Sequence, residues 1–177
     1  LTVWCGAGNN GGDGYVVASM AAQAGWAVEV IALGEPTTEP ARRALQEATQ
    51  HSMRVGPTLT ASSPRGAVLV DALLGTGLTR APKGDFRAAI ECMNEQARPV
   101  VSLDLPSGLD SDSGGTPGVA VSADLTVTFV GMKLGLQTGR GPDLCGSLVF
   151  DRLGLPGEAY DEVQSVARLI EGNAMAR

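Results

Sequence analysis

Short apolar runs alternate with longer segments of helical period along most of the chain, the pattern of βαβ units around a parallel sheet covered on both faces. Residues 1–6 (LTVWCG) read as a first strand. From Gly12 the run GDGYVVASMAAQAG sets Val16, Val17, Met20 and Ala21 on one helical face, with Gly25 where a C-terminal cap belongs. Residues 27–33 (AVEVIAL) form a second buried strand, and residues 38–52 a charged amphipathic helix with Pro40 in its first turn. A short edge strand is expected within residues 53–64. Residues 67–73 (AVLVDAL) form a central strand, a helix covers about residues 86–96, and residues 99–105 (PVVSLDL) form another strand. Beyond Pro106 the pattern loosens into SGLDSDSGGTPG, followed by two far-edge strands at residues 123–130 and 147–152 with no helix of convincing length between them. The tail from Pro156 is polar with a weak helical period. The chain therefore divides into a domain of residues 1–155 and a tail or linker of residues 156–177. The expected fold is α/β: a Rossmann-like, doubly wound, mostly parallel sheet with helices on both faces.

Composition supports this reading and removes several functions. At 177 residues the chain suits one domain, which buries about 70% of its unfolded surface. Apolar residues at 44% and charged residues at 18% argue against extensive disorder, and aromatics at 4% leave the core to Val, Leu, Ile and Ala. The 13 basic residues are scattered among 19 acidic ones for a net charge of −6, so no nucleic-acid partner is expected. No apolar run approaches the roughly 20 residues that span a bilayer, and no signal peptide is visible, so no membrane partner is expected either. Cys5, Cys92 and Cys145 lie far apart with no C-x-x-C spacing, which indicates neither a disulfide framework nor a thiolate zinc site. A reducing, cytoplasmic setting is the expectation. Leu1 already lies inside a strand-like run, so upstream targeting stays open.

In such a sheet ligands bind outside the carboxyl ends of the strands, where strand order reverses. Four polar stretches follow strands: GAGNNGGDG, DALLGTGLTR, DLPSGLD and GMKLGL. All four are expected to converge on one crevice. In the first, Gly6, Gly8 and Gly11 match the dinucleotide fingerprint G-x-G-x-x-G, and a helix starting near Gly12 offers its N–H groups to an anion. Asp13 opposes a phosphate there, because a carboxylate in the first turn already compensates the helix dipole. Asn9, Asn10 and Asp13 suit hydroxyls, an amide or a cation instead; the plainer reading is a Gly-rich βα turn.

The second stretch, Gly75, Thr76, Gly77, Leu78, Thr79 and Arg80, is either a phosphate cradle or an ordinary surface loop. Asp71 just before it interrupts an apolar strand, and a buried carboxylate needs a partner or a cation. Asp104 ends another strand and is the best general-base candidate, since a strand end is rigid and apolar neighbours raise a carboxylate's pKa; otherwise it caps the turn. Ser107 is no hydrolase nucleophile: no G-x-S-x-G occurs, and the lone histidine, His51, reads as a solvated surface residue. Lys133 and Lys83 are each a cation or proton donor, or a surface lysine. Asn10, Asp71 and Ser107 offer only hard oxygen ligands, so a cation held there is an alkali or alkaline-earth ion.

Taken together, NNGGDGYVVA, VDALLGTGL, SLDLPSGLD with the following TPG, and TFVGMKLGL make the chain resemble the NAD(P)H-hydrate epimerase family, the YjeF N-terminal domain, over residues 1 to about 155. The resemblance implies an isomerase of nicotinamide nucleotide repair that interconverts the R and S epimers of NADHX and NADPHX, the hydrated forms of NADH and NADPH. It implies substrate binding by Asn9, Asn10, Gly11, Gly12 and Asp13, by Gly75, Thr76, Gly77, Leu78, Thr79, Arg80 and Ala81, and by Asp104. It implies one potassium ion on Asn10, Asp71 and Ser107, and a homodimer. Acid/base catalysis at C6 of the hydrated ring would fall to Asp104, with Lys133 as its partner. Family members usually carry helices ahead of the first strand, absent here. Many microbial ones are fused to an ADP- or ATP-dependent dehydratase, to which the tail would be the linker.

Two other readings compete. A non-catalytic binding or scaffold module of the same fold has no need of converging polar strand ends. A nicotinamide dehydrogenase would use Glu35 on the ribose, but the chain has no room for a substrate domain.

Overall fold

The computed structural model describes residues 1–51, 54–56 and 66–168. Seven strands form one sheet: β1 (Thr2–Cys5), β2 (Glu29–Ala32), β3 (Arg54–Gly56), β4 (Leu69–Ala72), β5 (Val100–Leu103), β6 (Leu125–Phe129) and β7 (Ser147–Asp151). Their spatial order is β3-β2-β1-β4-β5-β6-β7, and every neighbouring pair is parallel. The expected mostly parallel sheet is therefore parallel throughout, with both far-edge strands in it. The expected edge strand is present as β3, and residues 53 and 57–64 of the stretch assigned to it lie outside the described residues. Strand order reverses between β1 and β4, which places a crevice above their carboxyl ends.

Helices cover both faces. Alternation along each strand sends Val3, Cys5, Val70 and Ala72 to one side, against Tyr15 and Ala18 of α1 (Asn9–Gln23) and Ala44 and Ala48 of α2 (Glu39–Ala48). Trp4, Leu69 and Leu73 go to the other side, against Ala89, Ile90 and Met93 of α3 (Gly84–Glu95). Fully buried Leu69 and Ile90 contribute about 2 kcal/mol each. A third cluster, Leu105, Leu109, Leu136, Leu144 and Cys145, packs the loops beyond β5 and β6 against α4 (Gly141–Leu144).

Two expectations for α1 are corrected. The helix begins at Asn9 rather than near Gly12, so the asparagines form its first turn and Asp13 lies beyond that turn. Asp13 therefore does not compensate the helix terminus. Of the expected apolar face, Val16 and Met20 look outward, 45% and 64% exposed, while Val17 packs against the core. The buried face is Gly11, Gly12, Gly14, Tyr15, Ala18 and Ser19, because small residues let the helix settle close onto the sheet. A Cβ on Gly14 would stand 2.6 Å from Ala72 Cβ and 2.8 Å from Cys5 Sγ. At the βα turn a Cβ on Gly11 would fall 1.8 Å from the Gly6 carbonyl oxygen. These glycines serve close packing as much as any ligand.

Candidate active site

Asp71 sits in β4 on the α3 side of the sheet, in register with Ser102 of β5. It is fully buried, and four donors surround its carboxylate. Ser107 donates twice, from its hydroxyl to Oδ1 at 2.5 Å and from its backbone N–H to Oδ2 at 2.8 Å. The Ser102 hydroxyl donates to Oδ2 at 2.9 Å and the Leu73 N–H to Oδ1 at 3.2 Å. Burial pushes the Asp71 carboxyl above its ordinary range while these bonds pull it back. Among the described residues no basic side chain forms an ion pair with it.

Ser107 links this carboxylate to the first loop. Its Oγ accepts from the Leu74 N–H at 2.8 Å, and the Leu74 carbonyl accepts from Asn10 Nδ2 at 3.1 Å. Asn10 Oδ1 is buried and accepts no hydrogen bond among the described residues. Asn10, Asp71 and Ser107, expected together from the sequence, therefore do gather around the Leu74 backbone. Nothing else of a metal-binding kind competes: no group of three His, Cys, Asp or Glu side chains lies together among the described residues.

A second cluster stands at the carboxyl ends of β5 and β6. Asp104 directly follows β5 at φ 67°, with its N–H donating to the Val127 carbonyl at 2.7 Å. Its Oδ1 accepts from Lys133 Nζ in a mostly buried ion pair, from Thr128 Oγ1 at 3.2 Å and from the Phe129 N–H at 3.3 Å. Lys133 Nζ also donates to the Phe129 carbonyl at 2.8 Å. The expectation that Asp104 works among apolar neighbours is replaced by a direct partnership with Lys133. Asp13, exposed on α1, lies within electrostatic reach of the pair: partial desolvation, then the charge of Asp104, push its carboxyl up, and Lys133 opposes them. Around Lys133 the loop leaves Val130, Met132 and Leu134 partly exposed, an apolar rim.

The glycine-rich second loop lies beside these groups. Gly75 packs on Asn10, where a Cβ would come within 3.3 Å of the Asn10 Cβ. Leu74, Gly77, Leu78, Thr79, Arg80 and Ala81 line a groove of about 440 Å³ together with Pro82, Lys83 and Phe86. Thr76 is exposed at the loop's tip, and Asn9 is exposed beside the buried Gly11 and Gly12. Lys83 ends the loop ahead of α3 and is not brought to Asp104. His51 is half-buried rather than solvated, with its Nε2 3.1 Å from Gln23 Nε2. A larger hollow of about 590 Å³, lined by Leu1, Trp26 and Glu29 among others, opens at the opposite end of the strands. Ser102, Thr128 and the Leu74 carbonyl were not singled out from sequence. The signals for the first two were a polar residue at a buried strand position in VVSL and the alternation in LTVTF.

The profile of the family described as "YjeF-related protein N-terminus" matches residues 1–135. The bifunctional NAD(P)H-hydrate repair enzyme Nnr of Escherichia coli K12 is 43% identical over 157 residues, covering 86% of this chain and 30% of the relative. The enzyme of the same description from Coxiella burnetii is 41% identical over 174 residues, covering 97% of this chain and 36% of the relative. The chain thus spans about a third of the length of these curated relatives. The crystal structure of yeast ynu0 shares the fold, with a TM-score of 0.66 and 23% identity over 81% of this chain and 63% of the yeast chain.

Proposed function

The chain belongs to the YjeF-related N-terminal family, and we propose that it is an isomerase interconverting the R and S epimers of NADHX and NADPHX. One observation carries the chemistry: a carboxylate, Asp104, held against an ammonium, Lys133, with a second carboxylate, Asp13, in electrostatic reach. Inversion at C6 of the hydrated ring breaks the bond between C6 and the ring nitrogen as the C6 hydroxyl gives up a proton and the nitrogen gains one, and closure on the other face reverses both, with no net oxidation. Asp104 takes the proton, Lys133 holds the charge of the pair, and Asp13 is the second group able to carry a proton. The apolar rim of Val130, Met132 and Leu134 suits the uncharged tetrahydropyridine ring. The groove beside Arg80 and the first turn of α1 suit the remainder of the dinucleotide.

The residues present also fit a single potassium ion. Among the described residues, Asn10 Oδ1 is a buried acceptor lacking a donor, and Asp71 is a buried carboxylate lacking a countercharge. Asn10, Asp71 and Ser107 would hold the ion, which supplies positive charge that locks the first and third loops together. These side chains then keep Asp104 and the substrate loop in one geometry.

The relatives are described as bifunctional repair enzymes, which supports the expectation of a dehydratase domain, dependent on ADP or ATP, joined beyond residue 155. A homodimer and a cytoplasmic location belong to the same proposal; among the described residues no helix is long and apolar enough to cross a membrane.

The test starts from one purified epimer of NADHX and follows the appearance of the other by chromatography. Equilibration faster than the uncatalysed rate, abolished in Asp104→Ala with the fold retained by circular dichroism, is the expected result. Binding of NADPHX without acceleration would replace catalysis by the scaffold reading.

A further inference from the structure

Just beyond β7 the chain turns back onto the domain. After a turn at Leu153 and Gly154, at φ 50° and 75°, it returns through a short helical turn, Gly157–Tyr160. There the Tyr160 hydroxyl donates to the Val130 carbonyl at 2.7 Å. The Tyr160 ring is held in turn by Arg152, whose Cζ lies 5.2 Å from the ring centroid.

Val130 is an unusual place for such an anchor. It is β-branched yet sits at φ 63°, in the middle of a three-residue turn closed by the Gly131 N–H donating to the Phe129 carbonyl at 2.6 Å. A turn of this kind persists only where its surroundings hold it. Two contacts do: the Val130 N–H donates to the Asp151 carbonyl at 2.9 Å on one side, and Tyr160 binds the Val130 carbonyl on the other. The same turn presents the Phe129 carbonyl to Lys133 Nζ and the Phe129 N–H to Asp104.

We propose that Tyr160 is a positioning residue for Lys133, acting through the main chain of Val130. The inference rests on the acid/base reading of the Asp104–Lys133 pair given above. Tyr160 touches neither member of the pair. It fixes the carbonyl next to the one that Lys133 binds, and Arg152 fixes Tyr160.

The test is Tyr160→Phe in the full chain, which keeps the ring and removes only the hydroxyl. Turnover of NADHX is expected to fall about fivefold, a change of the size one net hydrogen bond allows, with KM changed less than about twofold. A second readout needs no activity. The chain has two lysines, Lys83 and Lys133, so selective ¹³C labelling at lysine Cε gives two resonances. In Tyr160→Phe the Lys133 resonance is expected to shift or broaden while that of Lys83 stays in place. Arg152→Ala should move both readouts in the same direction by less. Wild-type turnover together with an unmoved Lys133 resonance would overturn the inference, even if thermal stability fell, since that is all a structural bond would change. If the wild-type chain itself does not epimerise, the epimerase reading fails while the resonance of Lys133 still decides the positioning role.

Discussion

Asp104 and Val130 share a backbone conformation: at φ 67° and 63° each is the middle residue of a three-residue turn, one just beyond β5 and the other just beyond the neighbouring β6. The Leu105 N–H closes the first onto the Leu103 carbonyl at 2.8 Å, as Gly131 closes the second onto Phe129. Two adjacent parallel strands therefore end in the same strained way, and the hydrogen bonds joining those ends all lead to the Asp104–Lys133 pair. An aspartate tolerates this region better than a β-branched residue does.

The strain at Val130 makes a measurable trade-off. Val130→Gly removes a penalty of about 1–2 kcal/mol but also frees the turn that sets the Phe129 carbonyl. Greater freedom of the unfolded glycine chain offsets part of the gain, so stability in urea should rise by no more than about 1 kcal/mol. Turnover should fall in the same variant. A variant both less stable and fully active would show that the turn is neither strained nor functional.

Asp13 reports the charge state of its neighbours. Its carboxyl is raised above the ordinary 3.8, first by desolvation and then by Asp104, with Lys133 opposing. Asp104→Asn should therefore bring Asp13 part of the way down, desolvation remaining, and Lys133→Met should push it further up. The ¹³Cγ titration of Asp13 in labelled protein checks both directions. Because a carboxyl raised by folding binds its proton more tightly in the folded state, stability falls as pH rises from 3.8 through the raised value and is level above it.

Ser107 is the hinge of the buried cluster, donating to Asp71 and accepting from the Leu74 N–H. Ser107→Ala keeps its backbone donor but leaves the Leu74 N–H and one Asp71 position without partners. A loss of about 2 kcal/mol in chemical denaturation is expected, the scale of an unsatisfied buried group. Ser102→Ala removes a single bond to the same carboxylate and should cost less.

Much of this architecture was legible because period and burial coincide. The runs around Leu69 and Val100 are apolar on both faces, as a doubly covered parallel strand must be, and the polar exceptions Asp71 and Asp104 stood out against them. Helix α1 was harder, because apart from Tyr15 its packed face is mostly glycine, alanine and serine. Hydrophobicity pointed to Val16 and Met20, while the contact is made by residues whose asset is small size. The family resemblance named Lys133 as a partner of Asp104 and the structure pairs the two, yet the hold of Lys133 on Phe129 and the contact from Tyr160 depend on backbone turns that side-chain pattern does not encode. The start of the tail illustrates the same limit: its polar composition read as a linker, and nothing in that composition encodes the bond from the Tyr160 hydroxyl to the Val130 carbonyl.

The cation proposal is decided by how stability depends on pH. Asp71 is fully buried, and burial raises its carboxyl above 3.8 despite the donors from Ser107, Ser102 and Leu73. Without a bound cation, ionising it is harder in the folded than in the unfolded chain, so stability should decline as pH rises from 3.8 through the raised value and then level off. Potassium bound at Asn10, Asp71 and Ser107 favours the ionised form and should recover that loss at neutral pH, with little effect at pH 3. At a hundredfold excess over its Kd, linkage gives about 2.7 kcal/mol. In a chain of 177 residues this raises the Tm by several degrees, at about 2–4 °C per kcal/mol. The comparison is potassium chloride against tetramethylammonium chloride at equal ionic strength, at pH 7 and pH 3. Asn10→Leu, which removes the unpartnered Oδ1 and one hydrogen bond to Leu74, should abolish the potassium effect. Equal Tm in the two salts at pH 7 would leave Asp71 satisfied by its two hydroxyl and two backbone N–H donors alone and remove the cation from the site.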